Sequence, residues 1–202
     1  YAHHPENHGF LKEIAALLSA FIYFCSAKIA IWLLPSYALI CDIICMKINL
    51  FCIGKTDDRE IKSLTQYYHK RLPAHWNYAV TEIPDVKNTK NMTPAQVMAE
   101  ESKLILQQIE ASDLVILLDE NGRHYTSREF SDRITSWMNS SVKRICFFIG
   151  GAYGFAPAVH ARANEKISLS KMTFTHQMVR LFFTEQLYRA DQILQGKPYH
   201  ND

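Results

Sequence analysis

Between positions 46 and 202, short unbroken apolar runs alternate with longer stretches in which apolar residues recur every three or four positions. The runs lie within 113–118 and over 145–149, and residues 47–53 read as a first strand that Gly54 ends. They are too short for helices and rich in β-branched and aromatic residues, the pattern of strands covered on both faces in a parallel sheet. Residues 76–83 alternate and end at Pro84, and Ile167-Ser-Leu169 reads as a short last strand. Between the strands, Ile61, Leu64, Tyr67, Tyr68 and Leu72 recur at helical spacing over 57–71, and Pro73 stops them. Thr93, Pro94 and Gln96 form a helix start, predicting a helix to about residue 111 that buries Val97, Leu104, Ile105 and Ile109. Thr126 and Glu129 form a second capping box, for a helix to about Met138. A short helix is expected over 157–164, and a long closing helix runs from Thr175 or His176 to about Gln195, ended by Gly196 and Pro198. Residues 85–91 read as a polar loop, and Asp119-Glu-Asn-Gly122 as the turn that closes the third strand. Strands alternating with helices predict an α/β domain with a mainly parallel sheet.

The first forty-five residues have a different character. From Phe10 to Ile44 they are mostly apolar, and a spanning helix from Ile14 to Leu34 would have to carry Lys28 near an interface. The opening Tyr1-Ala-His-His-Pro-Glu6 lacks the basic start of a signal peptide. The expectation is that residues 1–45 are an apolar extension from translated upstream sequence or a misplaced start, rather than a membrane anchor. Residues 46–202 are then the functional unit.

Composition narrows the classes. The whole chain has 202 residues, 48% hydrophobic, with seven glycines and seven prolines, which suits one folded domain with an appendage. Its formal charge is +2, and leaving out Glu6, Lys12, Glu13, Lys28 and Asp42 puts residues 46–202 at +3. That excludes a strongly basic nucleic-acid arm but leaves room for a local basic patch. Cysteines 25, 41, 45, 52 and 146 show no Cys-x-x-Cys pair, so neither zinc nor a disulfide framework is expected, and a reducing cytoplasmic setting fits.

Candidate chemistry gathers where strands end. Residues 145–149 run straight into Gly150, Gly151 and Gly154, which permit close backbone approach to a ligand in the crevice beyond a parallel sheet. The spacing is not that of the dinucleotide fingerprint. Leu118 and the run Leu169, Ser170, Lys171, Met172, Thr173 and Phe174 end two other strands at the same edge. The hydroxyls of Ser170 and Thr173 suit a polar ligand, although a plain turn into the closing helix is the simpler alternative. On the closing helix His176 and Arg180 share a face and Arg189 lies on a neighbouring one. Arginines beside a cofactor loop suit RNA phosphates, and a solvated face paired with Glu185 and Asp191 is the competing reading. Tyr199 and His200 offer a stacking surface and a titratable group almost at the chain's end. His69, His75 and His160 have no ligand-like spacing and read as structural.

Taken together, Ile149-Gly-Gly-x-x-Gly154, residues 169–174, His176-Gln-Met-Val-Arg180, Glu185-Gln-Leu-Tyr-Arg-Ala190 and Pro198-Tyr-His200 resemble one family. It is the ribosomal RNA large subunit methyltransferase H family of the SPOUT superfamily, whose members methylate N3 of a pseudouridine. The resemblance spans residues 46–202. It implies a SPOUT-type α/β knot, a deep trefoil knot in the C-terminal part, a homodimer and S-adenosylmethionine as cofactor without a metal. It further implies cofactor contacts at Leu118, Gly150, Gly151 and residues 169–174. Arg180, Tyr188, Arg189, Tyr199 and His200 would face large-subunit ribosomal RNA on the assembled ribosome, with one subunit's tail completing the other's site. Members often carry proline where this chain has Thr175, which would make the start of the closing helix less rigid.

For methyl transfer to a ring nitrogen, Arg180 or Arg189 would stabilise developing negative charge and His200 would accept the proton, with His176 an equally reachable base or merely a helix cap. The alternatives are a transfer-RNA methyltransferase of the same superfamily and a non-catalytic ribosome-binding module.

Overall fold

A computed structural model describes residues 46–140 and 142–200. The expected character of residues 1–45 lies outside the described residues. The elements run β1 (Lys47–Ile53), α1 (Arg59–His69), β2 (Ala79–Ile83), α2 (Pro94–Leu106), β3 (Leu114–His124), α3 (Ser127–Met138), β4 (Arg144–Ile149), α4 (Pro157–Arg162), β5 (Glu165–Ser168) and α5 (His176–Leu194). All strand pairs are parallel, and the sheet order is β2-β1-β4-β3-β5.

The unbroken apolar runs arise because the central strands are buried on both faces. Ile145, Phe147 and Ile149 join Ile48, Leu50 and Ile116 on one face, packed with Phe130, Ile134 and Trp137 of α3 and Phe183 and Leu187 of α5. Cys146 and Phe148 point the other way, with Phe51, Val115 and Leu117, toward Ile105 of α2 and Val159 of α4. The Phe51 and Phe148 rings stack at 4.8 Å across neighbouring strands. Cys52 and Cys146 are buried free thiols, pushed up to about 12, chiefly by desolvation. Among the described residues, no helix is long and apolar enough to cross a membrane.

Local signals set the helix starts as expected. Thr93 with Gln96 and Thr126 with Glu129 both make reciprocal capping boxes. Helix ends differ more. A 3₁₀ turn, Ala74–Trp76, shortens the second strand to Ala79–Ile83, and α2 stops at Leu106 rather than near residue 111. At the end of α5 the amide of Gly196 bonds the Ile193 carbonyl and that of Lys197 bonds the Gln192 carbonyl, with Gly196 at φ +63°. This pair of bonds is a Schellman cap, which the left-handed glycine makes accessible.

The largest departure is at β3. Residues 119–122 do not end the strand, because it pairs with β5 on both sides of them: Ile167 lies opposite Leu118 and again opposite Arg123. The four residues form an excursion that closes over Ile167. Gly122 is required there, since a Cβ on it would stand 2.4 Å from the Ile167 carbonyl carbon.

Candidate active site

The carboxyl ends of β3, β4 and β5 open into one cavity of about 730 Å³, a size that suits a bound cofactor. Leu118, Gly150, Gly151, Leu169, Ser170, Met172, Thr173 and Phe174 line it, and so does His176. Three segments far apart in sequence are therefore brought together as expected. Lys171 belongs to the same run but is absent from the lining.

The local chemistry explains the wall's shape. The Ser168 hydroxyl donates to the Ser170 carbonyl at 2.8 Å, and the Ser170 hydroxyl accepts from the Met172 amide at 2.9 Å. These bonds order residues 168–172 as a turn and leave Met172 outward, 75% exposed at the rim. Gly154 has φ +78° and open space where a Cβ would stand, while a Cβ on Gly150 would meet the Gly154 carbonyl at 3.0 Å. The turn after β4 thus folds tightly on itself and keeps a bare face. Thr175 caps α5, its hydroxyl accepting from the Met178 amide at 3.3 Å, so His176 is the first helical residue and not the cap.

The remaining candidates sit elsewhere. Arg180 is 1% exposed. It donates through Nη1 to Thr56 Oγ1 at 2.7 Å and through Nη2 to the carbonyls of Ile53 and Gly54 at 2.7 and 3.0 Å, so it points inward rather than to a solvated helix face. Glu82, 3.6 Å from it, loses solvation by partial burial, yet bonds from Thr56 and the Arg180 charge hold its carboxyl below the usual range.

Tyr188, Arg189, Tyr199 and His200 gather in a second cluster at the other end of α5. Tyr188 and Tyr199 meet edge to face at 4.9 Å, and the Arg189 guanidinium lies 5.0 Å from the Tyr199 ring centroid. Arg189 pairs with Glu185, as its solvated-face alternative anticipated, and its Nη1 lies 3.4 Å from His200 Nδ1. The Tyr199 hydroxyl donates to Glu185 at 3.1 Å. Burial, a bond with Tyr68 and the Glu185 charge push the Tyr199 phenol well above its ordinary value. Asp191, the other carboxylate considered for the arginines, instead accepts from Gln192 and Gln195.

Residues 46–200 match the family model described as predicted SPOUT methyltransferase. The chain belongs to the SPOUT methyltransferase family. Curated relatives are identical to it at about half of the aligned positions, over nearly their full length. Ribosomal RNA large subunit methyltransferase H of Christiangramia forsetii is 53% identical over 77% of this chain and 99% of the relative. The protein of the same name from Cytophaga hutchinsonii is 51% identical over 77% of this chain and 100% of the relative. That from Parabacteroides distasonis is 46% identical over 78% and 100%.

Several site residues of this SPOUT methyltransferase were not evident from sequence. His160, read as structural, lines the cavity with its Nε2 3.8 Å from Asp119 Oδ2, and its buried Nδ1 has no partner. Asp119, Glu120 and Asn121 line the cavity because the β3 excursion lifts them into it. Glu101, 7% exposed, lies directly behind Gly151: a Cβ on that glycine would come 2.4 Å from its Oε1. Tyr68 reads as an apolar helix position, yet it packs on Tyr188 of the tail cluster at 5.7 Å. Spacing alone carries no sign of any of these contacts. Among the described residues no group of three or more His, Cys, Asp or Glu is placed to hold a metal ion.

Proposed function

We propose that this protein uses S-adenosylmethionine to methylate N3 of a pseudouridine in large-subunit ribosomal RNA on the assembled ribosome, as a cytoplasmic homodimer with the trefoil-knotted topology of its family. The observation that carries this reading is the cavity. It joins the bare glycine turn after β4 to the 169–174 run, in a chain about half identical to proteins named for that activity. The residues present fit the cofactor. Backbone groups of the glycine turn can approach it closely, Met172 and Phe174 offer apolar cover, and Asp119 and Glu120 place carboxylates near a cation.

When bound, S-adenosylmethionine supplies an electrophilic methyl group on a sulfonium. The chain's part is to align that group with the acceptor nitrogen, exclude water and handle one proton. The N3–H bond breaks as the N–CH3 bond forms, so a base must take the proton and a cation must meet charge developing on the ring oxygens. Arg189 fits the second role better than Arg180, whose two terminal nitrogens are held by Ile53, Gly54 and Thr56 and whose Nε is buried. His176, on the cavity wall, and His200, on the tail, both fit the first.

Distance favours a composite site. His176 and Arg189 are thirteen residues apart on α5, about 20 Å at 1.5 Å per residue. A tail docked beside Arg189 does not reach the cavity of its own chain, so a second copy supplies it. The exposed rim residues Met172, Tyr153 and Phe174 suit cover by that partner. The test is complementation. A chain with Leu169→Arg in the cavity is mixed, after dissociation and reassociation, with a chain ending at Gly196. Recovery of about a quarter of wild-type activity is expected, since half of the reassorted dimers hold one intact composite site. No recovery from two inactive parents would mean that each site is built from one chain.

A further inference from the structure

The tail cluster does not stop at α5. Tyr199 packs on Tyr188 and Tyr188 on Tyr68 of α1, Tyr68 meets Tyr67 edge to face at 5.2 Å, and the Arg71 guanidinium lies 3.3 Å over the Tyr67 ring. With Tyr188 between Tyr68 and Tyr199, four tyrosines form one continuous series carrying an arginine at each end, Arg71 on Tyr67 and Arg189 on Tyr199. The α1 end is open. Tyr67 is 48% exposed and Leu64, one turn earlier, is 49% exposed. No residue of α1 is buried, so these side chains are not needed to close the core. The charge there has one sign. Lys70 and Arg71 have no Asp or Glu near them in sequence between Ile61 and Thr81, although the domain as a whole is near neutral; Lys62, further up the helix, faces the Glu82 charge instead. Arg71 Nη1 donates to the Tyr67 carbonyl at 2.9 Å, which holds the guanidinium against the ring.

We infer that the exposed stripe at the C-terminal end of α1, Tyr67 with Lys70 and Arg71 just past the helix, is a second RNA contact that continues the tail cluster and binds an unpaired stretch of the substrate RNA. An exposed aromatic face takes a base by stacking in any sequence context, and a flanking guanidinium and ammonium take its phosphates. Continuity with the tail orders the RNA along one surface, from α1 past Tyr68 to Arg189 and His200. This inference rests on the proposed RNA substrate and extends it to where the strand lies outside the methylated nucleotide.

The test uses the full chain and two readouts. Binding of a fluorescein-labelled RNA hairpin with about ten unpaired loop nucleotides is measured against salt, and methyl transfer to unmethylated ribosomes is measured in parallel. Tyr67→Ala should weaken hairpin binding about tenfold, the loss of one stacked base. Arg71→Gln should lower the log–log salt slope by about 0.7, one phosphate on a single strand. Both should raise KM for ribosomes, leave kcat within about twofold, and leave cofactor affinity unchanged. Wild-type affinity and salt slope in both variants would overturn the inference. So would conversion of the Tyr67→Ala dimer to monomer, which would make the stripe a subunit interface. If the wild type binds hairpins through Tyr67 and Arg71 but methylates no ribosomal RNA, the methylation reading falls and the RNA surface stands.

Discussion

Arg180 on α5 donates through Nη2 to the carbonyl of Ile53 at 2.7 Å, across 127 residues of sequence. This bond and its partners at Gly54 and Thr56 tie the helix that begins at the cavity to the last residue of β1. Two buried carbonyls and the Glu82 carboxylate depend on one guanidinium.

Removing that fork should act on folding first. Arg180→Gln is expected to cost about 3–5 kcal/mol, since it leaves buried acceptors unpaired. Arg180→Lys keeps the charge but not the planar geometry, and should cost about 2 kcal/mol. Chemical denaturation measures both. A lysine variant with wild-type stability and lost turnover would assign Arg180 to the RNA instead.

Gly122 makes the β3 excursion fit. Because a Cβ there would stand 2.4–2.5 Å from the Ile167 backbone, Gly122→Ala must push the excursion off β5. Overpacking of this kind costs about 1–3 kcal/mol. Residues 119–121 line the cavity, so cofactor affinity should fall at least about tenfold. Thermal melts and calorimetric titration with S-adenosylmethionine check the two effects together.

At the opposite edge of the sheet Asp113, whose side chain is 1% exposed, accepts two bonds from Arg144. Burial alone would raise its carboxyl, but the Arg144 bonds and charge, with the Glu110 amide, hold it below the usual range. The pair therefore stabilises the fold above the ordinary aspartate value, and that stability is lost as pH falls through the lower folded value. Arg144→Gln should cost about 3–5 kcal/mol at neutral pH. The difference from wild type should begin to shrink as pH falls below the ordinary aspartate value, about 3.9, and go on shrinking toward the lower folded value. Denaturation curves at pH 7 and pH 3.5 read it directly.

Glu101 has the opposite sign. Burial and then the Asp85 charge raise its carboxyl, and its Oε2 has no partner. As pH rises through the ordinary carboxylate value, the unfolded chain ionises before the folded one, and stability falls until the raised value is passed. Glu101→Gln removes that loss. The variant should match wild type near pH 4 and melt progressively higher toward pH 8, by about 2–4 °C for each 1 kcal/mol relieved. A melting difference that does not change with pH would contradict this account of Glu101.

What was legible in the sequence is what local chemistry decides. The bounds of β1 follow from a mostly apolar stretch after Met46 that Gly54 ends, and both capping boxes formed because a cap is made by residues three apart. The cavity's glycine turn and the 169–174 run were legible as strand ends that converge at one edge of a parallel sheet. The inward turn of Arg180 was not, because its acceptors lie more than 120 residues away and a lone arginine on a helix reads as solvated. Asp119-Glu-Asn-Gly122 has the composition of a turn, and only pairing with β5 makes it part of a strand. His160 and Tyr68 reach the cavity and the tail through packing alone.

The most direct measurement of the central claim is transfer of tritiated methyl from S-adenosylmethionine by the full chain. Unmethylated intact ribosomes, free ribosomal RNA and transfer RNA are offered in parallel. Label is expected in the large-subunit RNA of intact ribosomes, at N3 of a pseudouridine, and none on transfer RNA. Label on transfer RNA alone would contradict the substrate, and no label on any RNA while the cofactor still binds would contradict the methyl-transfer reading itself.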